Sequence, residues 1–475
     1  MFGRISKSLG LLVIIAACTT ADTPTSIRPR VASSRFVGPT VFSLANSANA
    51  DIWIDSINAS CASEIRGYIP PGNYTGATPG KDFNNATCGG VKNVEIVGAG
   101  SSQTHIYQNS SNATAFLVGT GALVTFDSLD FVATDTATDP PGNYGMAIKF
   151  QQAEGGGVAN STFSGWGTAA VFVQDAPNVT VQDNVINCAN SSNLRGYGSA
   201  GIWFGSGSVH GFSLHGYIRG NHVSNCSYES IHLEGVSDSQ ITLNTITCPG
   251  FAQCSQAIVM TGRRFAQGAG SYSCSDSPAS HNIVESNYIH GRFDYGILMQ
   301  GNGPARYDSV RINTVDSATI HGIAVSPVRL GGPFLGYLCP FYPQQYDPTL
   351  HTGNVIKDNY IHNSGQSGVW SGGDSTTIHN NQVYYSGSHG IYYQAQYGAL
   401  SANDSEHNGG DGMHLAGCNA GFVTGGYRDL GSISFNSLKF NSGWGLVYVP
   451  SDTTPGNEWF QSNGSGSMVS VSGRC

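Results

Sequence analysis

Gly390 lies nine residues on from Asn381, and that interval recurs along most of the chain. The frame is apolar-x-x-Asn-x-apolar. It occurs at Val181 with Asn184 and Ile186, Ile218 with Asn221 and Val223, Ile241 with Asn244 and Ile246, and Val284 with Asn287 and Ile289. It continues through Val310, Asn313 and Val315; Ile356, Asn359 and Ile361; Ile378, Asn381 and Val383; and Ile433, Asn436 and Leu438, with Asn403 a poorer fit. From Asn221, Asn287, Asn313, Asn359, Asn381, Asn403 and Asn436 a Gly/Ser-apolar strand opens nine residues on, at Ser230, Gly296, Gly322, Gly368, Gly390, Gly412 and Gly445.

A period of two inside short segments, and a step of 22 residues from Asn359 to Asn381 to Asn403, describe a β-solenoid rather than a helical repeat. Each unit then holds two short strands joined by a turn. One coil cannot bury its own apolar face, so its strands must pair with the coils above and below. An asparagine recurring at a turn can bond local backbone and stack amide on amide with the next coil.

Composition agrees with an array. The 475 residues include 63 glycines and only 11% charged residues, against about 25% in ordinary globular chains. With 40% hydrophobic residues the chain is too apolar for disorder. A net charge of -9 excludes the basic face that nucleic-acid binding needs.

The N-terminus reads as an export signal, with Arg4 and Lys7 ahead of an apolar run from Leu9 to Ala17. Residues 1–17 are the expected signal peptide, 18–40 a flexible tether, and 41–475 the solenoid. Within the solenoid, 41–68 are expected to cap one end, 69–456 to form the coils, and 457–475 to cap the other. The tetrapeptide Ile15-Ala16-Ala17-Cys18 resembles the lipobox of bacterial lipoproteins. The resemblance implies that Cys18 is lipidated and is the membrane attachment, and Thr19 in place of Asp implies an outer-membrane or surface address. Ordinary cleavage followed by secretion or periplasmic residence is the alternative. Ten further cysteines suit disulfides in an oxidising compartment, with Cys61–Cys88 and Cys188–Cys226 as expected pairs. No paired CxxC motif suggests structural zinc.

Two upstream stretches, "YIPPGNYTG" at Tyr68–Gly76 and "VKNVEIVGAGSSQTHIYQ" at Val91–Gln108, carry an Ile-Pro-x-Gly-x-Tyr turn and a Val-x-Ile-x-Gly strand. Together with the repeat, they resemble the pectate-lyase-like superfamily of right-handed parallel β-helices. The resemblance runs from about Phe36 to the C-terminus and implies an all-β, single-stranded right-handed parallel β-helix. The superfamily holds polysaccharide lyases, polygalacturonase-type hydrolases, mannuronan epimerases and phage tailspikes, so fold alone does not name an activity. The polygalacturonase set and the Asp-Pro-His-Glu motif of mannuronan epimerases are absent, apart from isolated fragments at Arg311 and Ser388.

A bare coil takes 13 residues from Gly368 to Asn381, whereas Gly201 to Asn221 takes 20, Ala257 to Asn287 takes 30 and Gly322 to Asn359 takes 37. Insertions at one corner would wall a groove suited to a linear polymer. Alternation places Ile231 and Leu233 inward and His232 and Glu234 outward. The outward set continues through Trp203, Val259, Thr261, Leu298, Gln300, Trp370, Tyr392, Gln394 and His414, with Tyr295, His321, His389 and Asp411 just before their strands. Aromatic rings interleaved with polar groups suit sugars, so Trp203, Tyr295, Gln300, Trp370, His389, Tyr392, Asp411 and His414 are the expected polysaccharide contacts.

Catalytic candidates are Glu229, His232, Glu234, Arg264, Asp294 and His321. Hydrolysis needs two carboxylates, which Glu229, Glu234 and Asp294 could supply. β-Elimination on an acidic glycan needs a base and a group that neutralises the uronate, either an arginine or Ca2+. Elimination is favoured because arginines cluster in the insertions. A glycoside hydrolase and a non-catalytic, adhesin-like carbohydrate-binding protein remain alternatives, and no metal ligand set is assigned.

Overall fold

Asparagine, rather than glycine, shapes the coil. The computed structural model describes residues 40–43, 49–85, 88–108, 114–133, 145–188, 200–205, 212–249, 254–266, 274–301, 303–326, 351–395, 397–416, 432–448 and 458–470. Cys18 therefore lies outside the described residues, as do the expected signal peptide, most of the tether and much of the insertions.

Strands stack into three long parallel sheets. The first and third hold 14 strands each, and the second holds 15 counting the segment Cys274–Ser277. Successive coils pair in register, as in Ile356↔Ile378↔Leu400 of the first sheet and Ile361↔Val383↔Ser405 of the third. This is a right-handed parallel β-helix. Its interior is a continuous column of Val, Ile, Leu and Phe side chains, including Ile231, Leu233, Ile258, Met260, Ile297 and Met299 at 0% exposure. At about 25 cal/mol per Å2 of apolar surface, that column is the main stabilising term.

Each coil gives one strand to each of these three sheets, not the two strands expected, and a short four-stranded sheet (Phe212–Ser213, Val236–Ser237, Ala279–Ser280 and Ala305–Arg306) adds a fourth strand to some coils. Thr377–His379 and Gln382–Tyr384, which the repeated frame joins through Ile378, Asn381 and Val383, belong to the first and third sheets. Only Asn380 and Asn381 separate them. Asn380 adopts φ 53°, and the equivalent residues before the other ladder asparagines include Asp183, Leu243, Ile312, Asp358 and Phe435, all with positive φ. A β-branched Ile312 in that conformation is costly, so the turn must be held from elsewhere.

The asparagines hold it. Nδ2 of Asn184, Asn221, Asn244, Asn287, Asn313, Asn359, Asn381 and Asn403 each donates to Oδ1 of the next coil's asparagine, at 2.9 to 3.0 Å. The same Oδ1 accepts the backbone N–H of the preceding coil's asparagine, as from Asn381 to Asn403 at 3.0 Å. Asn403 and Asn436 complete the column, so the poorer fit of Asn403 to the sequence frame did not matter. Glu458 ends it, accepting from Asn436 N–H at 2.8 Å and Nδ2 at 3.3 Å, while burial pushes its carboxyl up to about 7.

A shorter column at another corner runs from Ser239 through Asn282 and Asp308 to Asn354. Asp308 takes an asparagine's place there. Oδ1 accepts from Asn282 N–H at 2.9 Å and Nδ2 at 3.1 Å, whereas buried Oδ2 has no partner among the described residues. Complete burial drives its pKa well above the usual carboxylate range despite the bonds from Asn282.

At the N-terminal side, a helix over Ala50–Ala59 places Trp53, Ile54 and Ile57 in the core, and Asn49 caps it by accepting from Asp51 N–H at 2.8 Å. Buried Lys92 donates to the carbonyls of Ile57 at 2.8 Å and Asn58 at 3.1 Å, compensating the helix C-terminus. Cys61–Cys88 and Cys188–Cys226 are bonded as expected, and Cys248–Cys254 forms a third disulfide.

Candidate functional site

The outward face of the second sheet is built from two columns three residues apart. The strand column is Trp203, His232, Val259, Leu298, Ala324, Trp370, Tyr392 and His414, each paired in register with the next. The edge column begins Glu229, Gln256, Tyr295 and His321, also in register. It continues through Ser367, His389 and Asp411, each linked to its neighbour by backbone bonds of the adjoining glycine. Adjacent coils lie about 4.8 Å apart, so a residue in one column meets both columns of the next coil.

The face is not uniformly exposed. Val259, Leu298 and Ala324 are at most 1% exposed and form an apolar cluster separate from the interior, with Tyr295 and Trp370 packed against it. Outward alternation held, but water exposure did not follow from it.

On the Glu229–Glu234 strand, the side chains of Glu229 and His232 are 4% and 9% exposed and meet at 2.6 Å between Oε2 and Nδ1. His232 Nε2 lies 3.2 Å from Thr261 Oγ1, and its ring stacks on Trp203 with centroids 5.2 Å apart. In the tautomer with its proton on Nδ1, toward Glu229 Oε2, the Nε2 lone pair accepts from the Thr261 hydroxyl. A carboxylate, an imidazole and a hydroxyl are thus aligned, an arrangement that orients a base. Trp203 Nε1 is buried with no hydrogen-bond partner among the described residues. Glu234 is half-buried, one register step from Thr261.

The middle of the face carries His321. Burial brings its imidazole down to about 4, even though Ser367 N–H donates to Nδ1 at 3.2 Å. It is therefore neutral with its proton on Nε2, a donor rather than a base. Its ring stacks on Trp370 at 5.7 Å and meets Tyr295 at 5.8 Å. Burial, then the neighbouring Asp294, raise the Tyr295 phenol. Asp294 accepts from Thr319 Oγ1 at 2.9 Å. Gln300 follows Leu298 on the same outward face and is half-buried.

Farther along, Asp411 Oδ2 receives His414 Nδ1 at 2.7 Å and has His389 Nδ1 at 3.3 Å. Oδ1 accepts Trp444 N–H at 2.7 Å. Burial opposes ionisation, but the nearby His389 and His414 imidazoles and the bond from Trp444 N–H outweigh it and hold the Asp411 carboxyl well below the usual range. Tyr392 stacks on His414 with rings 5.2 Å apart and 8° from parallel.

Arg264 lies on Cys254–Ala266, which runs beyond the coil and returns antiparallel, setting Arg264 opposite Asp276; its side chain is outside the described residues. The structure thus joins Glu229 with His232, Tyr295 with His321 and Trp370, and His389 with Asp411, Tyr392 and His414. It does not group Glu229 with Asp294, which lie two register steps apart. Thr261 was read as outward but not as a partner of His232. The signal was present in the three-residue spacing of Glu229 and His232 and the register that sets Thr261 beside them.

Among solved structures, the chain is similar to the periplasmic alginate epimerase AlgG, with 11% identity over 91% of this chain and 85% of that one, TM-score 0.45. A GH87 alpha-1,3-glucanase catalytic domain aligns at 12% identity over 90% of this chain and 66% of that one, TM-score 0.43. The A-module of the Azotobacter vinelandii mannuronan C-5 epimerase AlgE6 aligns at 12% identity over 90% and 97%, TM-score 0.40. No curated protein matches the sequence. Residues 189–327 and 349–475, more than half of the chain, match the family described as right handed beta helix region, and the chain belongs to that family.

Proposed function

We propose that this protein binds an acidic polysaccharide along the outward face of its second sheet and cleaves it by β-elimination, with His232 as the base. The observation that carries this reading is the Glu229–His232–Thr261 alignment beside Trp203. The Glu229 carboxylate beside Nδ1 favours the tautomer in which Nε2 is unprotonated. That lone pair, resting on the Thr261 hydroxyl, is placed to take the proton alpha to a uronate carboxylate once a sugar displaces the contact. Trp203 offers a ring face and a buried, unpaired N–H for a hydroxyl. Trp370 and Tyr392 extend the same face, and the Nε2–H of neutral His321 adds a donor.

Hydrolysis is less well supported. Glu229, bound to His232 and 4% exposed, is not an open acid, and Asp294 is engaged by Thr319. A binding-only protein would use the same face without needing the alignment around His232.

Three disulfides and the apolar leader support export, and the Cys18 lipobox supports attachment to an outer membrane or cell surface. The reading is tested by incubating the chain with acidic and neutral polysaccharides while following new reducing ends and the ultraviolet absorbance of unsaturated uronates. Both signals rising together is the expected result. Reducing ends alone would replace elimination with hydrolysis, and binding without either would leave only carbohydrate recognition.

A further inference from the structure

His389, Asp411 and His414 present one ligand atom each, all within 4.8 Å of one another. We propose that they form a binding site for a divalent transition metal of the zinc class. Two imidazoles with one carboxylate suit zinc, nickel or copper, whereas calcium and magnesium prefer oxygen donors. Ca2+, considered from the sequence for uronate neutralisation, does not fit this donor set.

The spacing fits. A tetrahedral ion with bonds of about 2.1 Å separates its ligands by about 3.4 Å. His389 Nδ1 is 3.3 Å from Asp411 Oδ2, and His414 Nδ1 is 2.7 Å from the same oxygen. The shorter distance holds a shared proton, and an entering ion would displace that proton and open the gap. His389 Nδ1 carries a lone pair rather than a proton, because Asp411 N–H donates to it at 3.2 Å, and an entering ion would take that lone pair from the N–H. Ser367 N–H makes the same contact to His321, so the coil itself sets this ring.

The surrounding contacts fix the remaining freedom. Trp444 N–H occupies Oδ1 and leaves Oδ2 for the ion, and the Tyr392 ring lies against His414. Exposures of 23% for His389, 12% for Asp411 and 27% for His414 leave an open side for water or a further ligand. That this ligand is a glycan carboxylate rests on the proposed function; the metal site does not.

A second cluster of the same residue types supplies a control. His290 and His362 meet Asp316 on different oxygens, at 2.7 and 3.0 Å, and Ser317 and Asn363 also occupy Oδ1. Its ligand atoms do not converge within the limit that the Asp411 cluster meets among the described residues.

The test titrates Zn2+ into the chelator-stripped full chain by calorimetry, and Co2+ in parallel for its visible spectrum. We expect one ion per chain, affinity lowered about 100-fold or more in His389→Ala and His414→Ala, and no change in Asp316→Asn. Melting curves in chelator check that each variant folds. Should either histidine variant unfold, the wild-type Co2+ spectrum decides, with tetrahedral imidazole-bound bands supporting the site and their absence overturning it. Wild-type binding no tighter than that of the folded variants, or lost in Asp316→Asn, would also overturn it. Neither readout involves a polysaccharide, so failure here is distinguishable from failure of the elimination reading.

Discussion

Glu229 with His232 and Asp411 with His414 occupy the same places on coils six register steps apart, yet their surroundings differ. In each pair a carboxylate in the edge column receives Nδ1 of a histidine three residues on, in the strand column. Around Glu229 the dyad is nearly closed, its next neighbour toward the C-terminus is the Thr261 hydroxyl, and Nε2 is the remaining base. Around Asp411 the dyad is more open and a second imidazole, His389, comes from the preceding coil. A repeated backbone can therefore reproduce a motif without reproducing its chemistry; the adjoining coil decides whether it is a proton relay or a chelate.

The largest expected effect is at the closed dyad. His232→Asn should lower turnover about 100-fold or more and leave polysaccharide retention measurable, because a general base contributes a factor of that order. Glu229→Gln should lower kcat by about tenfold or more with a smaller change in KM, since it loosens the tautomer without removing the base. Steady-state kinetics on the polysaccharide that gives ultraviolet product checks both.

A smaller effect is expected at the open cluster. His389→Ala reduces it to a dyad like that at Glu229, so polysaccharide affinity should fall about tenfold in the presence of Zn2+ and change little after chelation. Retention on immobilised polysaccharide with and without chelator measures it. Equal loss under both conditions would erase the proposed difference between the two regions.

The smallest effect lies away from the face, where Asp308 shows what burial does to a carboxyl lacking an imidazole. Its pKa is raised in the folded state, so its stabilising contribution is fully present below the unfolded value of about 3.9 and is lost as pH rises through the raised folded value. Asp308→Asn supplies Nδ2 where unpartnered Oδ2 now sits. It should raise stability at pH 8 by about 1 to 2 kcal/mol and change little at pH 4. Denaturant midpoints at the two pH values check the sign.

The solenoid was legible because its signal repeats. Asn184 through Asn436 recur at a turn, and the amide ladder expected from that recurrence is formed. The third strand per coil was hidden because strands such as Thr377–His379 and Gln382–Tyr384 are three residues long. Alternation within so short a strand spans one inward residue, so the slip of phase between Ile378 and Val383, five residues apart, is the sole sign of the turn. At the site, period two correctly set His232 and His414 outward. It carries no information on what covers a face, so the burial of Val259 and Leu298 does not follow from it. Pairing across coils depends on register, which is why Glu229, His232 and Asp411 were all singled out while Thr261 as the partner of His232 and the convergence on Asp411 were not.

The central claim is tested most directly by following unsaturated-uronate absorbance with wild-type protein and His232→Asn side by side, with retention on the same polysaccharide measured for each. The account predicts absorbance from the wild type, its near-complete loss in the variant, and retention by both. Undiminished absorbance from a folded His232→Asn protein, or reducing ends from the wild type without absorbance, would contradict it.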